Sequence, residues 1–489
     1  MADLDISAAH QLIDGVWAPA ADGGEVPVLD PATRERIQAV PRSGAVDVDR
    51  AVAAASKAAP AWAATSPSER GAILRRWADL IAANVETLAA YEARDVGKPR
   101  SAGRLNVYIA HGIIDYFAGA ADKLTGVTLP SRTPDFFGYT RLEPHGVCAV
   151  VLPWNVPAVL TAANVAPALA AGNTVVLKPS EVAPLAPFAL AELAQWAGLP
   201  PGVLNVITGL GPEAGAALTG HPGVRHISFV GSTVTGRAVM RAAAENLVPV
   251  KLELGGKSPN VVFADADLDA AIPAIVASIT ENAGQNCYAG SRLLVEESIR
   301  AEVVERVAAG MAAVRTGPWD QDLDMGPLVS QAQYERVRGF LAEAPAAGAR
   351  LVTGGEKATE ALGDGWFVAP TVFDQVDSGM RLVREEVFGP VLAVQGFRET
   401  AEAVALMNET DFGLLSCIWT SDVSRALRVA GQARSGQVAV NQFHDVGVIG
   451  FPFNMQKESG FSRGGGYAAL REYTQEKAVA VRLLDRPSA

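Results

Sequence analysis

The chain has 489 residues, of which 49 % are hydrophobic and 19 % charged, with a formal net charge of −12. That length exceeds what one hydrophobic core usually holds, so two or three domains are expected. The acidic balance argues against nucleic acid or an anionic membrane as a partner and fits a soluble cytoplasmic protein.

In chain order, the opening "MADLDISAAHQLIDG" carries early acids and no apolar run, which predicts no secretory leader. Residues 45–118 are Ala-rich with charges at helical spacing and predict amphipathic helices. The segment "GVTLPSRTPDFFGYTRLEP" predicts a hairpin projecting from the body, with an edge that invites a partner subunit. From residue 146, short β-branched runs ("GVCAVVLP", "NTVVLKP", "GVLNVITG", "RHISFVGS", "VKLELGG") alternate with helical ones. This βαβ alternation predicts a mostly parallel sheet covered by helices on both faces. It restarts after "SPNVVFADADLD" and continues through "SRLLVEE", "EEVFGPVLAVQGF" and "LLSCIWT", giving a second α/β unit. "VAPALAAGNTVVL" is broken by Pro, Gly and Asn well short of a membrane span.

There are three cysteines, without CxxC spacing, so neither a disulfide framework nor a metal site is expected. Cys148 and Cys417 sit in apolar, strand-like runs, where free cysteine behaves as a small hydrophobe. Cys287 stands instead in "ENAGQNCYAGSR", where little side-chain bulk surrounds the sulfur and a reactant has room to approach it.

Four other short motifs stand at turns after strands, where sites on α/β folds gather. In "PWNVP", Asn155 offers an amide donor between stiffening prolines, or is a simple turn residue. In "KPSE", Lys178 and Glu181 flank a helix start and can hold sugar hydroxyls, unless they are only a strand-end lysine and its neighbours around a capping Ser180. In "FVGSTVTG", free N–H groups at a helix start beside Ser232 suit a pyrophosphate. In "ELGGKSP", Glu253 is either ion-paired or a base, beside two glycines that allow a ligand close to the backbone. "GLGPEAG" (209–215) has one residue too many for the dinucleotide fingerprint and is taken as a turn.

Together and in this order, with "EEVFGP" at 385–390, these motifs resemble the NAD(P)-dependent aldehyde dehydrogenase superfamily, over about residues 12–480. The resemblance implies an α/β fold of two parallel-sheet domains plus a small bridging β element. Residues 1–124 and 146–255 would form the dinucleotide-binding domain and 256–456 the catalytic domain. Residues 125–145 and 470–489 would form the bridging element of a homodimer or homotetramer. It implies Cys287 as nucleophile, Asn155 as oxyanion-stabilising amide and Glu253 as general base. NAD would be held by Trp154, Lys178, Glu181, Gly231, Ser232, Gly255, Glu386 and Phe388. The substrate wall would include Val156, Ala163, Glu281, Tyr288 and Phe453, with Gly447.

The expected reaction is oxidation of an aldehyde, bulky or aromatic, to the carboxylic acid through a thiohemiacetal and a thioester. Where relatives carry an acid in the C-terminal loop, "SRGGGYAAL" places Gly464 and Tyr467, so a proton-relay role for that loop is not expected. Glu281 stands where Phe is common. The alternatives are release of the thioester to CoA, or ester hydrolysis without a nucleotide. The latter needs an activating histidine, for which His444 is the candidate.

Overall fold

A computed structural model describes Leu4, residues 10–443 and residues 448–484. The β-branched runs form five parallel strands in the spatial order Leu204–Val206, Thr174–Lys178, Val147–Val151, His226–Val230, Val250–Glu253. Starting at Val147–Val151, the chain first winds to one side and then crosses to the other for its last two strands. The switch point therefore lies between Val147–Val151 and His226–Val230, and a crevice opens there at the carboxyl ends. These strands are buried almost throughout, as a sheet covered on both faces requires.

Antiparallel strands extend both edges. Gln11–Ile13 and Val16–Ala18 lie on one side, and Gly460–Phe461 pairs with Leu252 and Glu253 on the other. The second sheet has the order Arg350–Thr353, Thr371–Asp374, Val391–Phe397, Arg292–Glu296, Pro259–Val262, Leu415–Trp419, Gln437–Val440, parallel except at its first pair. The predicted hairpin forms as Thr128–Leu129 against Phe136–Pro144, and Thr474–Arg482 pairs along the whole of the latter strand.

The Ala-rich region folds into helices Ala45–Ala64, Pro67–Ala83, Val85–Val96 and Arg100–Ala120. Ser66 and Glu69 form a reciprocal cap at the second of these, with bonds of 3.2 and 3.1 Å. The third ends at Gly97, whose φ of 88° only glycine takes without strain. That reversal turns Lys98 into the protein. "GLGPEAG" is more than a turn: Gly211–Gly215 makes a wide helical turn that runs into helix Ala216–Thr219. Among the described residues, no helix is long and apolar enough to cross a membrane.

Candidate active site

A cavity of about 990 Å³ opens at the crevice and runs between the two sheets. Of the residues singled out from sequence, Trp154, Asn155, Val156, Ala163, Gly231, Ser232, Glu253, Gly255, Glu281, Cys287, Tyr288, Glu386, Phe388 and Phe453 all line it. Lys178 and Glu181 do not. They follow the adjacent strand, where Lys178 is in register with Val151. Gly447 and His444 lie outside the described residues.

Cys287 is placed by a strained approach. Helix Leu268–Thr280 gives way to the turn Glu281–Gly284, where Asn282 (φ 51°) and Ala283 (φ 54°) both take the left-handed conformation. Each such residue costs on the order of 1–3 kcal/mol and persists only where the surroundings enforce it. The enforcement comes from Gln285, which donates to the Asn282 carbonyl at 3.0 Å and accepts from Val329 N–H at 3.0 Å. A Cβ on Gly284 would stand 2.3 Å from the Gly389 carbonyl, and one on Gly256 2.2 Å from that of Cys287. The loops around 256, 286 and 388 therefore pack backbone to backbone about the sulfur. Burial pushes the Cys287 thiol up, and the Glu386 and Glu253 charges push it further. At rest the group is a thiol, and it becomes a nucleophile only when its proton is taken.

Asn155 is aimed by residues that sequence reasoning missed. Its backbone carbonyl accepts from Lys98 Nζ at 2.9 Å and from Asn282 Nδ2 at 2.9 Å, which fixes the peptide plane. Lys98 also bonds Glu92 Oε1 at 3.0 Å, in a pair wholly removed from water. Asn106 Nδ2 donates to Glu92 Oε1 at 2.5 Å, and Ala158 N–H donates to Glu92 Oε2 at 2.9 Å. Every oxygen of this carboxylate is bonded, as a buried charge requires.

Glu253 has a lysine of its own, also missed. Lys251, two residues earlier on the same strand, places Nζ 2.6 Å from Glu253 Oε1 and 2.7 Å from Asn164 Oδ1. Asn164 Oδ1 also accepts from Ser228 Oγ at 2.9 Å. Burial lowers Lys251, but the Glu253 carboxylate together with Tyr473 and Glu472 outweighs it and holds the ammonium above its ordinary range. Ser462 Oγ stands 3.5 Å from Glu253 Oε1, and a Cβ on Gly464 would lie 3.3 Å from it. A Cβ there would also stand 2.4 Å from the Phe453 carbonyl, so only glycine fits beside this carboxylate.

The other end of the cavity has the build of a dinucleotide site. Helix Thr233–Asn246 starts at the switch point, with Ser232 as its cap accepting from Thr235 N–H. Its first N–H groups face the crevice, where an anion is favoured. A Cβ on Gly255 would fall 2.3 Å from Glu386 Oε2, so only glycine admits that carboxylate, which accepts from Gly256 N–H at 2.9 Å. Burial pushes Glu386 up to about 7. Phe388 is held at φ 59° by Gln333, which donates to its carbonyl at 2.6 Å, and its ring meets Trp154 edge-on at 5.3 Å. Lys178 is buried and lowered by that burial, against the pull of Glu181, whose Oε2 is 3.3 Å away.

Much of the remaining lining is apolar. Val156 and Ala163 are joined by Ile109, Leu160, Ile449, Phe451 and Phe453. Tyr288 packs at 6.0 Å against Phe443.

Comparison with known proteins bears on the chain as a whole. The model of the aldehyde dehydrogenase family matches residues 17–479. An aldehyde dehydrogenase of Alternaria alternata is 43 % identical over 97 % of this chain and 95 % of its own length. A hydroxyisobutyraldehyde dehydrogenase of Mycolicibacterium austroafricanum is 41 % identical over 100 % of this chain and 97 % of its own. The crystal structure of betaine aldehyde dehydrogenase from Staphylococcus aureus in complex with NAD+ superposes with a TM-score of 0.96 at 35 % identity. That match covers 99 % of this chain and 96 % of the other. Matched along nearly its whole length in sequence and in fold, the chain belongs to the aldehyde dehydrogenase family.

Proposed function

We propose that the protein oxidises an aldehyde to the carboxylic acid with NAD, and that Cys287, Asn155 and Glu253 carry the chemistry. The observation that supports this most is that all three line one cavity with an anion-binding helix start at its other end. The residues present fit the dinucleotide. Ser232 and the free N–H groups suit the pyrophosphate, Lys178 and Glu181 the adenosine ribose, and Glu386 the second ribose, with Phe388 and Trp154 beside the ring. NAD supplies the hydride acceptor.

Glu253 takes the Cys287 proton through water in the cavity and releases it to solvent, the thiolate attacks the aldehyde carbon, and the carbonyl π pair moves onto oxygen. The alkoxide is met by the Asn155 amide, aimed there by the bonds to its own carbonyl. Hydride leaves the same carbon and a thioester on Cys287 remains. Glu253 takes a proton from water, the hydroxide adds to the thioester, and the acid departs as the sulfur recovers its electron pair.

A 2′-phosphate would face the Glu181 carboxylate, and that repulsion favours NAD over NADP. The short side chains at Val156 and Ala163 widen the substrate channel and favour bulky or aromatic aldehydes. The exposed Phe136, Phe137 and Val481 on the three-stranded sheet suit an interface of a homodimer or homotetramer in the cytoplasm. The test is NADH formation from a panel of aliphatic and aromatic aldehydes, with a lower kcat/KM for NADP. Turnover is expected in the wild type and lost in Cys287→Ala, and substantial turnover in that variant would refute the assignment.

A further inference from the structure

Glu281 is a carboxylate that lines the cavity and, among the described residues, has no bonded partner. It opens the turn that leads to Cys287, and its side chain is exposed to the cavity it lines. Among the described residues, none donates a hydrogen bond to it or forms an ion pair with it.

Among the described residues, Lys98 and the cations that line the cavity are committed elsewhere. Lys98 favours its charged form, yet the Lys98 ammonium is bonded to Glu92 and to the Asn155 carbonyl. Of the cations lining the cavity, Lys251 pairs with Glu253 and Arg237 with Glu458. Arg336 is bonded to the Glu386 carbonyl, and Arg384 to the Ser378 and Glu409 carbonyls. The surrounding protein desolvates the Glu281 carboxyl and raises it above the ordinary range. A carboxylate that faces the cavity without a protein partner leaves its oxygens free for a donor or a cation on the ligand. Tyr288, close enough to feel the Glu281 charge, and the Phe443 ring it packs against line the same cavity and offer π-faces, which attract cations.

We infer that Glu281 is a specificity-determining residue that binds a positively charged group on the substrate, so that cationic aldehydes are preferred over neutral ones of the same shape. This rests on reading the cavity as an aldehyde site.

The test compares isosteric pairs whose quaternary nitrogen cannot condense with an aldehyde. The short pair is 3-(trimethylammonio)propanal and 4,4-dimethylpentanal. The long pair is 4-(trimethylammoniomethyl)benzaldehyde and 4-(2,2-dimethylpropyl)benzaldehyde. In the wild type, kcat/KM for the cation should exceed that for its neutral isostere by about tenfold or more in at least one pair. Glu281→Gln should lower that ratio by about the same factor, and Glu281→Asp, which keeps the charge, should retain more of it. The inference is overturned if the wild type shows no preference for the cation in either pair, a result that needs no variant to fold. It is equally overturned if Glu281→Gln leaves the ratio unchanged. Turnover of the neutral members without cation preference overturns this inference alone. NADH from no aldehyde at all overturns the reading of the site on which it rests.

Discussion

Two buried lysine–glutamate pairs flank the cavity, and they are built differently. The Glu92–Lys98 pair behind Asn155 is closed, with the carboxylate bonded on both oxygens and the ammonium divided between Glu92 and a backbone carbonyl. The Lys251–Glu253 pair is open. Both residues line the cavity, and among the described residues the carboxylate's side-chain contact beyond the lysine is the 3.5 Å approach of Ser462. A closed pair has no room for a change of partner, so it fixes geometry. An open pair can exchange its lysine for water and return, as a base must. Burial of a charge by itself thus says little about function, whereas the number of unused directions around the carboxylate says much.

The largest effect should come from breaking the closed pair. Lys98→Met leaves Glu92 charged, buried and short of a donor, a class of change that costs about 3–5 kcal/mol. Denaturant unfolding should show that loss, and the folded fraction should also turn over slowly because the Asn155 carbonyl has lost a donor. A stability within experimental error of wild type would mean that the pair is not closed as described.

Lys251→Met should cost less, about 1–2 kcal/mol, because Glu253 can turn to water in the cavity. Its signature should be kinetic, with steady turnover falling while the first turnover of NADH remains. Equal stability losses for the two lysines would erase the distinction between the pairs.

Glu386 extends the comparison to a buried carboxylate bonded to a backbone N–H instead of an ammonium. Burial raises it from an ordinary 4.5 to about 7, so the folded protein holds this proton more tightly than the unfolded chain. The stability it contributes is therefore present below the unfolded value and lost as pH rises through about 7. Glu386→Gln, which does not ionise, should gain in thermal midpoint relative to wild type between pH 5 and pH 8. A difference independent of pH would contradict the assignment.

The legible parts of the molecule were those where one local stretch carries both the functional residue and its turn. Cys287 among glycines, Asn155 between prolines and Ser232 after "FVG" each announce themselves, because a strand end, a reversal and a reactive side chain fall within a few residues. The parallel sheets were legible for a similar reason, since a β-branched run and the helix after it are both local. Glu92 and Lys98 were hidden. "YEARDVGKP" reads as the solvated end of a helix, and the carbonyl that Lys98 bonds is 57 residues away. Lys251 alternates within "VKLELGG" as any half-buried strand residue would, and only the packing of Asn164 beneath it shows its burial. The strands at 11–13 and 16–18 are too short to give a period, and Gly460–Phe461 joins the first sheet from more than 200 residues beyond the strand it pairs with.

The central claim is that Cys287 is acylated and that Glu253 frees it by activating water. Rapid mixing of Glu253→Gln with NAD and a good aldehyde substrate tests this most directly, read as NADH absorbance and as the intact mass of the quenched protein. The account predicts a burst of about one NADH per site, little steady turnover, and a mass increase equal to the acyl group that is absent from the double variant with Cys287→Ala. Full steady turnover by Glu253→Gln, or a wild-type enzyme that turns over only when CoA is added, would contradict it.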